Sequence, residues 1–135
     1  MVQRITPYLS VNGAAAAIDF YRRAFGATET MRMLADDGKR VMHAVIRING
    51  GVVMLCDEFP EFNGTPAPTP DNPTSISVSI EFDTPAEVDA AFASAVAAGA
   101  DGWMRPENMF WGARFAMLND PFGHRWMLSA PLDPA

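Results

Sequence analysis

The chain has 135 residues, 49% of them hydrophobic and 19% charged, a balance typical of a globular protein and not of a disordered one. This length fits a single domain, residues 1–135, that buries a substantial core. The formal net charge of −6 argues against a nucleic-acid partner, because phosphate binding needs a basic surface. The longest apolar runs are far shorter than the roughly 20 residues that cross a bilayer, which argues against a membrane partner.

The compartment is predicted from the single cysteine and from the N-terminal sequence. Cys56 has no partner for an internal disulfide, which fits a reducing compartment. Residues 1–7 lack the basic segment and the apolar run of a signal peptide. We therefore expect a cytoplasmic protein.

The first half of the chain predicts a strand, a helix and three further strands. Residues 5–11 favour a strand, and Asn12 follows as the expected helix cap. A helix over residues 14–25 is predicted from apolar side chains at helical spacing, and Gly26 ends it. Three strand-like runs follow, separated by turn sequences typical of hairpins; they cover residues 28–34, 41–48 and 51–57.

The second half repeats this order. Residues 75–82 alternate strictly between apolar and polar side chains, and the apolar ones share a face: Ile76, Val78, Ile80 and Phe82. Asp83 or Thr84 caps a helix that runs to about Ala98 and stops at Gly99. Three strands follow and the last turn covers residues 120–123; the strands lie near residues 102–104, 114–118 and 124–129.

A proline-rich segment joins the two halves. Residues 59–73 hold five of the eleven prolines, so this segment is not expected to form a helix or a central strand. We predict a first βαβββ module over residues 4–58, a linker or surface lid over residues 59–73, and a second βαβββ module over residues 74–131. This duplicated order predicts an α+β fold.

Three motifs carry a resemblance to a known family. They are Ile18-Asp19-Phe20-Tyr21 with Ala24-Phe25-Gly26-Ala27, then Phe110-Trp111-Gly112, and finally Asp120-Pro121-Phe122-Gly123-His124-Arg125-Trp126. Together they resemble the glyoxalase/bleomycin-resistance family of the vicinal-oxygen-chelate superfamily, in particular its PhnB-like branch. The resemblance implies paired βαβββ modules whose curved mixed sheets form a cleft, commonly in a homodimer.

The resemblance also implies where a metal would be held. Metal-dependent members place one His, Gln or Glu ligand on the first strand and one on the fourth strand of each module. The two halves align on Val11 and Phe82. The corresponding positions are then Thr6, Met54 (or Leu55), Ser77 and Met127. Because a thioether binds hard and borderline divalent ions poorly, we predict no metal site of the usual kind and no cofactor.

His43 and His124 are the only two histidines. His43 lies within a predicted strand, where it is either a structural histidine bonded to the backbone or an acid, base or substrate-binding group in the cleft. His124 follows a turn glycine, and we predict that it anchors the turn over residues 120–123. Cys56 is either a small buried side chain or a nucleophile that needs a basic partner such as His43.

The second half is rich in aromatic residues and methionines. Residues 106–112 are expected to be irregular, so their side chains either wall a binding pocket or pack in the core or in a dimer contact. Arg105 or Arg114 offers a charge for an anionic or oxygen-rich ligand. The candidate ligand-binding residues are Tyr8, His43, Cys56, Met109, Phe110, Trp111, Arg114 and Met127, and His43 is also the candidate catalytic residue.

Three functions remain open, because this fold hosts many of them. The first is a metal-free homodimer whose sheet cleft binds a small aromatic or oxygen-rich molecule. The second is an enzyme of the same superfamily, a lyase, isomerase, dioxygenase or thiol-transferase, that works without the usual metal. The third is a dimeric interaction protein with a closed cleft. We expect the first, because shape, aromatic surface and dimerisation suffice for it.

Overall fold

The computed structural model describes residues 3–133, and its first half forms one four-stranded mixed sheet with one helix. The elements are β1 (Tyr8–Val11), α1 (Ala14–Phe25), β2 (Thr28–Leu34), β3 (Val41–Ile48) and β4 (Gly51–Asp57). The strand order is β1-β4-β3-β2, with β1 parallel to β4 and the other pairs antiparallel.

The second half repeats this arrangement. Its elements are β5 (Ser77–Glu81), α2 (Pro85–Ala98), β6 (Asp101–Asn108), β7 (Ala113–Asn119) and β8 (Arg125–Pro131). The strand order β5-β8-β7-β6 and the parallel pair β5–β8 match the first half, which confirms the α+β fold of two βαβββ units. Within the described residues, neither helix has the length and apolar character needed to cross a membrane.

The strand β1 is shorter than predicted, because a side chain replaces part of the ladder. The side-chain amide of Gln3 accepts from the backbone N–H of Val52 and donates to its carbonyl, each at 2.9 Å. These are the groups of β4 that an extended β1 would use. Residues 5–7 therefore lie outside the strand, and only the Pro7 carbonyl joins β4, accepting from Met54 N at 2.9 Å.

The strand β6 is longer than predicted and includes Pro106. An edge strand tolerates proline where the missing N–H would face away from its neighbour, and β6 is the edge of its sheet. The expectation of an irregular segment over residues 106–112 is therefore wrong for its first three residues. The irregular part is the turn over residues 109–112, where Gly112 N donates to Met109 O at 3.0 Å.

The two helices begin in different ways. Thr84 caps α2 in a capping box, accepting from Glu87 N while the Glu87 side chain accepts from Thr84 N. Asn12 does not cap α1. Gly13 occupies the cap position, and a carboxylate oxygen of Asp57, at the end of β4, accepts from Gly13 N and Ala14 N at 2.9 and 2.8 Å.

One hydrophobic core serves both modules. The helices α1 and α2 pack on each other and on one face of the sheets, where Leu55, Ile46 and Leu128 are fully buried. Tyr21 of α1 lies against Trp126 of β8, with ring centroids 5.2 Å apart, so the first helix packs on the second sheet as well. The opposite face of each sheet carries no helix, and the two sheets do not close into a barrel within the described residues.

Asp120 joins the modules inside this core. Its carboxylate is buried and accepts from the Tyr21 hydroxyl at 2.5 Å and from the Trp126 indole N–H at 2.9 Å. The other oxygen accepts from the backbone N–H groups of Phe122 and His124, which fixes the predicted turn over residues 120–123. The ring of His124 lies 2.8 Å from the Ser10 carbonyl, so it ties this turn to β1.

The proline-rich segment packs over the surface of both modules. It begins with a single 3₁₀ turn, Pro60–Phe62, which the guanidinium of Arg40 holds through Glu61 and the ring of Phe59. Further along, Thr69 lies so close to Gly123 that a Cβ on this glycine would stand 2.7 Å from Thr69 N. Gly123 also has a φ of +86°, so both its conformation and its contact require glycine.

Candidate functional site

The candidate site lies on the face of the first sheet that α1 does not cover, called the open face below. Strand alternation places Leu9, Leu55 and Ala44 against the helices. The side chains of their sequence neighbours therefore lie on the open face; they are Tyr8, Ser10, His43, Met54 and Cys56. The structure thus brings together three predicted residues, Tyr8, His43 and Cys56, on adjacent strands.

Tyr8 and His43 form a hydrogen-bonded pair across the sheet. The phenol oxygen lies 2.7 Å from Nδ1 of His43, and the two ring centroids are 5.3 Å apart. When the phenol donates, Nδ1 accepts, so the neutral imidazole carries its proton on Nε2. His43 is therefore bonded to a side chain, whereas the structural alternative expected a backbone partner.

The surroundings of Tyr8 favour its neutral phenol. Partial burial raises the pKa of the Tyr8 phenol, and the neighbouring Cys56 thiol raises it further. Cys56 is partly exposed, and its sulfur lies 4.0 Å from the hydroxyl of Ser10. That hydroxyl donates to the Thr65 carbonyl at 2.8 Å, so the linker reaches the edge of this face. The arrangement offers a neutral phenol and an imidazole to a bound molecule.

A small depression lies next to Tyr8, where the two modules meet. Its volume is about 150 Å³, and its walls include Ile76, Val78 and the ring of His124. Ile76 belongs to the alternating run whose apolar residues are predicted to share one face; 71% of its surface is exposed. A side chain of this size beside Tyr8 extends the apolar surface from the first module onto the second.

The strand registers give the positions where the family would hold a metal. Tyr8 pairs with Met54 on β1 and β4, and Ser79 pairs with Met127 on β5 and β8. The same offset in both modules supports the duplication. Thr6 precedes β1, and Ser77 pairs with Arg125 and not with Met127. A phenol, a hydroxyl and two thioethers do not fit a hard or borderline divalent ion. Within residues 3–133, no three His, Cys, Asp or Glu side chains group as metal ligands.

The open face of the second sheet carries Met127 among aromatic and sulfur-containing side chains. Met127 pairs with Met117 on β7, and Phe115 lies on the same face, next along that strand. Trp103 of β6 donates its indole N–H to Asn119 at 3.2 Å, and the guanidinium of Arg125 lies 5.5 Å from its ring centroid. Ser79, Trp103 and Arg125 were missed as site residues, although strand alternation around Met127 could have indicated Arg125.

The remaining predicted residues lie on the β6–β7 hairpin. Phe110 is 98% exposed, and Trp111 packs edge-on against both Phe110 and Phe115. Met109 is partly buried at the base of the turn. Arg114 lies on the helix-facing side of β7, where it binds Asp89 of α2 at 2.9 Å and Asn108 at 3.1 Å. Arg114 and Met127 therefore lie on opposite faces of the second sheet.

A comparison with protein families identifies the fold built above. Residues 2–128 match the model of the Glyoxalase/Bleomycin resistance protein/Dioxygenase superfamily. The chain belongs to this superfamily. The match covers both βαβββ units, so the resemblance seen in the sequence motifs is confirmed.

Relatives of this superfamily member span nearly its whole length. A Mycobacterium bovis protein, Mb0911c, is 43% identical over 128 residues, which are 95% of this chain and 83% of that protein. Protein PA1353 from Pseudomonas aeruginosa has a TM-score of 0.75 at 28% identity, covering 98% of this chain and all of that one. A Bacillus cereus structure described as a PhnB protein and putative 3-demethylubiquinone-9 3-methyltransferase has a TM-score of 0.71 at 27% identity; coverage is 95% and 99%.

Proposed function

We propose that the protein binds a small aromatic or oxygen-rich molecule on the open face of the first sheet, without a divalent metal. One observation carries this proposal: Tyr8, His43, Ser10 and Cys56 form a polar group at the centre of a face that is otherwise rich in methionine. An apolar surface with a few convergent polar groups is what a small-molecule site requires. Methionine side chains adapt their shape to flat or irregular ligands.

A second copy of the chain completes the site in this proposal. Both helices occupy the shared core, so each open face leaves large apolar side chains uncovered: 50% of Tyr8, 50% of Met33 and 48% of Trp103 are exposed. Such surfaces are usually covered by a partner. In a symmetric homodimer, the first sheet of one protomer faces the second sheet of the other, which encloses the ligand between them.

The ligand proposal is tested with matched variants. A thermal-shift screen of aromatic and oxo-acid compounds is run on the native chain, because a ligand that binds only the native state raises the melting temperature. The variant Tyr8→Ala is expected to lose that rise. Phe62→Ala, which removes an exposed aromatic ring from the linker, is expected to keep it. A ligand whose stabilisation is unchanged in both Tyr8→Ala and His43→Ala would contradict this site.

The dimer and the absence of a metal are tested separately. Light scattering should give twice the chain mass of 14.7 kDa, and Met33→Glu, which puts a charge on the open face, should give a monomer. Phe62→Glu is the control that should remain dimeric.

Elemental analysis of the protein that binds the ligand should find less than stoichiometric divalent metal; one tightly held ion per chain would contradict the proposal.

Acid–base catalysis is the second candidate, and the Tyr8–His43 pair favours it. A neutral phenol that donates to an imidazole supplies an acid and a base 2.7 Å apart. For a ligand found in the screen, NMR of the mixture over hours tests turnover. Conversion that Tyr8→Phe abolishes while binding persists would establish catalysis, and an unchanged ligand spectrum would leave binding as the function.

A further inference from the structure

A cavity of about 320 Å³ lies at the junction of the two modules; it shares Pro7 and Val78 with the depression beside Tyr8, but neither Tyr8 nor His43 lines it. The β3–β4 turn and the start of β4 form one wall, and β5 forms the other. Much of its lining is apolar and consists of side chains at most 6% exposed; these are Ile48, Val53, Ile80 and Trp126. The indole N–H of Trp126 already donates to Asp120, so the ring offers only apolar surface to this cavity.

Most of the side-chain polar groups at the rim of the cavity already have hydrogen-bond partners. Both side-chain atoms of Gln3 bond to the backbone of Val52, and the Asn49 amide donates to the Glu81 carbonyl. The carboxylate of Glu81 is the only ionisable group in the lining. It accepts one bond from Ser79 at 3.3 Å, and no ion pair among residues 3–133 involves it.

A cavity with an apolar lining and a single charged group, the Glu81 carboxylate, restricts the chemistry of a ligand. An ionised carboxylate only accepts hydrogen bonds, so the group that meets it must donate, and a cation does so best. An anion would meet Glu81 with no compensating cation in the lining. We propose that this junction cavity binds a small apolar or aromatic molecule that carries one protonated amine.

The proposal is tested by titrating the native chain with phenethylamine at neutral pH while recording amide NMR spectra. Phenylacetate is the matched anion, with a ring of the same size and the opposite charge. Saturable shifts confined to residues 48–53 and 78–81 are expected for the amine. Phenylacetate is expected to bind at least several-fold more weakly. Equal binding of the two compounds, shifts that map elsewhere, or no saturation at 10-millimolar phenethylamine would overturn the proposal.

Two variants assign the charge and the cavity. Glu81→Gln should weaken phenethylamine binding about 1.5- to fivefold, the range for an exposed ion pair. Glu107→Gln removes a comparable exposed carboxylate from β6 and should change nothing. Gly51→Trp, which adds a ring to the cavity wall on the same side of β4 as Val53, should abolish the shifts. Unchanged affinity in both Glu81→Gln and Gly51→Trp would also overturn the proposal, whereas ligand binding at Tyr8 is independent of all three variants.

Discussion

Tyr21 is a buried phenol whose hydroxyl donates to a buried carboxylate. Its side chain is fully buried, and a carboxylate oxygen of Asp120 accepts its hydrogen bond at 2.5 Å. Burial raises the pKa of Tyr21 well above 10.0, and the negative charge of Asp120 raises it further. The folded core therefore strongly favours the neutral phenol. The unfolded chain has no such restriction, so this residue links stability to alkaline pH.

We predict that the protein loses stability as pH rises above about 10. The folded pKa of Tyr21 lies above the unfolded value, so its contribution is fully present below that value and is lost as the unfolded phenol ionises. Urea denaturation between pH 8 and pH 11 measures this loss. Tyr21→Phe should be less stable at neutral pH by about 1.5–3 kcal/mol, because a hydrogen bond to a charged group is lost, and should show a smaller alkaline decline.

Tyr8→Phe is the control for this measurement. The chain has only two tyrosines, and the pKa of Tyr8 is also raised, although half of its surface is exposed. Tyr8→Phe should therefore retain most of the alkaline decline. If the decline vanished in Tyr8→Phe and persisted in Tyr21→Phe, the assignment to Tyr21 would be wrong.

Asp37 shows how a surface carboxyl is kept ionised. The Arg40 guanidinium donates to one oxygen at 2.8 Å, and the backbone N–H groups of Lys39 and Arg40 donate to the other. Together these bonds lower the pKa of Asp37 to about 2, with the Arg40 side chain as the largest cause.

The second prediction is that Arg40→Met raises the pKa of Asp37 part of the way towards 3.8, its ordinary value. The recovery is partial because the two backbone donors remain. Carbon-detected NMR titration of the Asp37 carboxyl measures it. Lys39→Met is the matched control, because Lys39 contributes only its backbone N–H and should leave the pKa at about 2. A low pKa in Arg40→Met would show that the turn backbone alone suffices.

At the scale of elements, the start of α1 depends on a residue 43 positions away in sequence. Asp57 is 9% exposed, and its two oxygens accept from the backbone N–H groups of Gly13, Ala14 and Val41. One carboxylate thus caps α1 and holds the start of β3.

We predict that Asp57→Ala lowers the free energy of unfolding, measured by urea denaturation, by about 3 kcal/mol or more, because buried donors lose a charged acceptor. Asn12→Ala should change the free energy of unfolding by less than about 0.5 kcal/mol. Similar losses in the two variants would contradict this assignment.

This contrast shows how far the sequence predicts the elements. Local signals, such as the alternation in β5, the glycine after each helix and the capping box at Thr84, predict the order of elements and most of their bounds. They fail where a distant residue decides. Asn12 is a residue type that commonly caps helices, but the carboxylate of Asp57 caps α1. Likewise, the side-chain amide of Gln3, and not the backbone of residues 5–7, bonds to the start of β4.

The candidate site was predictable only in part, for the same reason. Strand alternation identifies Tyr8, Ser10, Met54 and Cys56 as possible neighbours, but only the register shows that His43 reaches Tyr8. The side of the sheet on which Arg114 lies depends on strand bounds that its local sequence does not fix. Its pairing with Asp89 depends on where α2 packs. A site on a sheet face is assembled from residues that are far apart in sequence, so its geometry follows from tertiary packing.

At the scale of the whole molecule, the two modules share one core. The helix α1 packs on the second sheet through Tyr21 and Trp126, and His124 bonds to the backbone of β1. Neither module can unfold without exposing the apolar surface of the other. The sequence duplication is therefore not expected to produce two independent folding units.

We predict one cooperative unfolding transition. All three tryptophans lie in the second module, so their fluorescence reports on that module, whereas far-ultraviolet circular dichroism reports on both. The two signals should give coincident denaturation curves at a fixed protein concentration. A circular-dichroism transition that precedes the fluorescence change would show that the first module unfolds separately.

The pairing of Gln3 with Val52 also bears on how the protein behaves at high concentration. The part of β4 that β1 does not reach would otherwise present an unpaired N–H and carbonyl, the groups through which strand edges of different molecules join. The Gln3 amide occupies both, and the Asn49 amide does the same for the carbonyl at the end of β5. We therefore expect these two side-chain amides to disfavour edge-to-edge association of molecules where the ladders of the two sheets end.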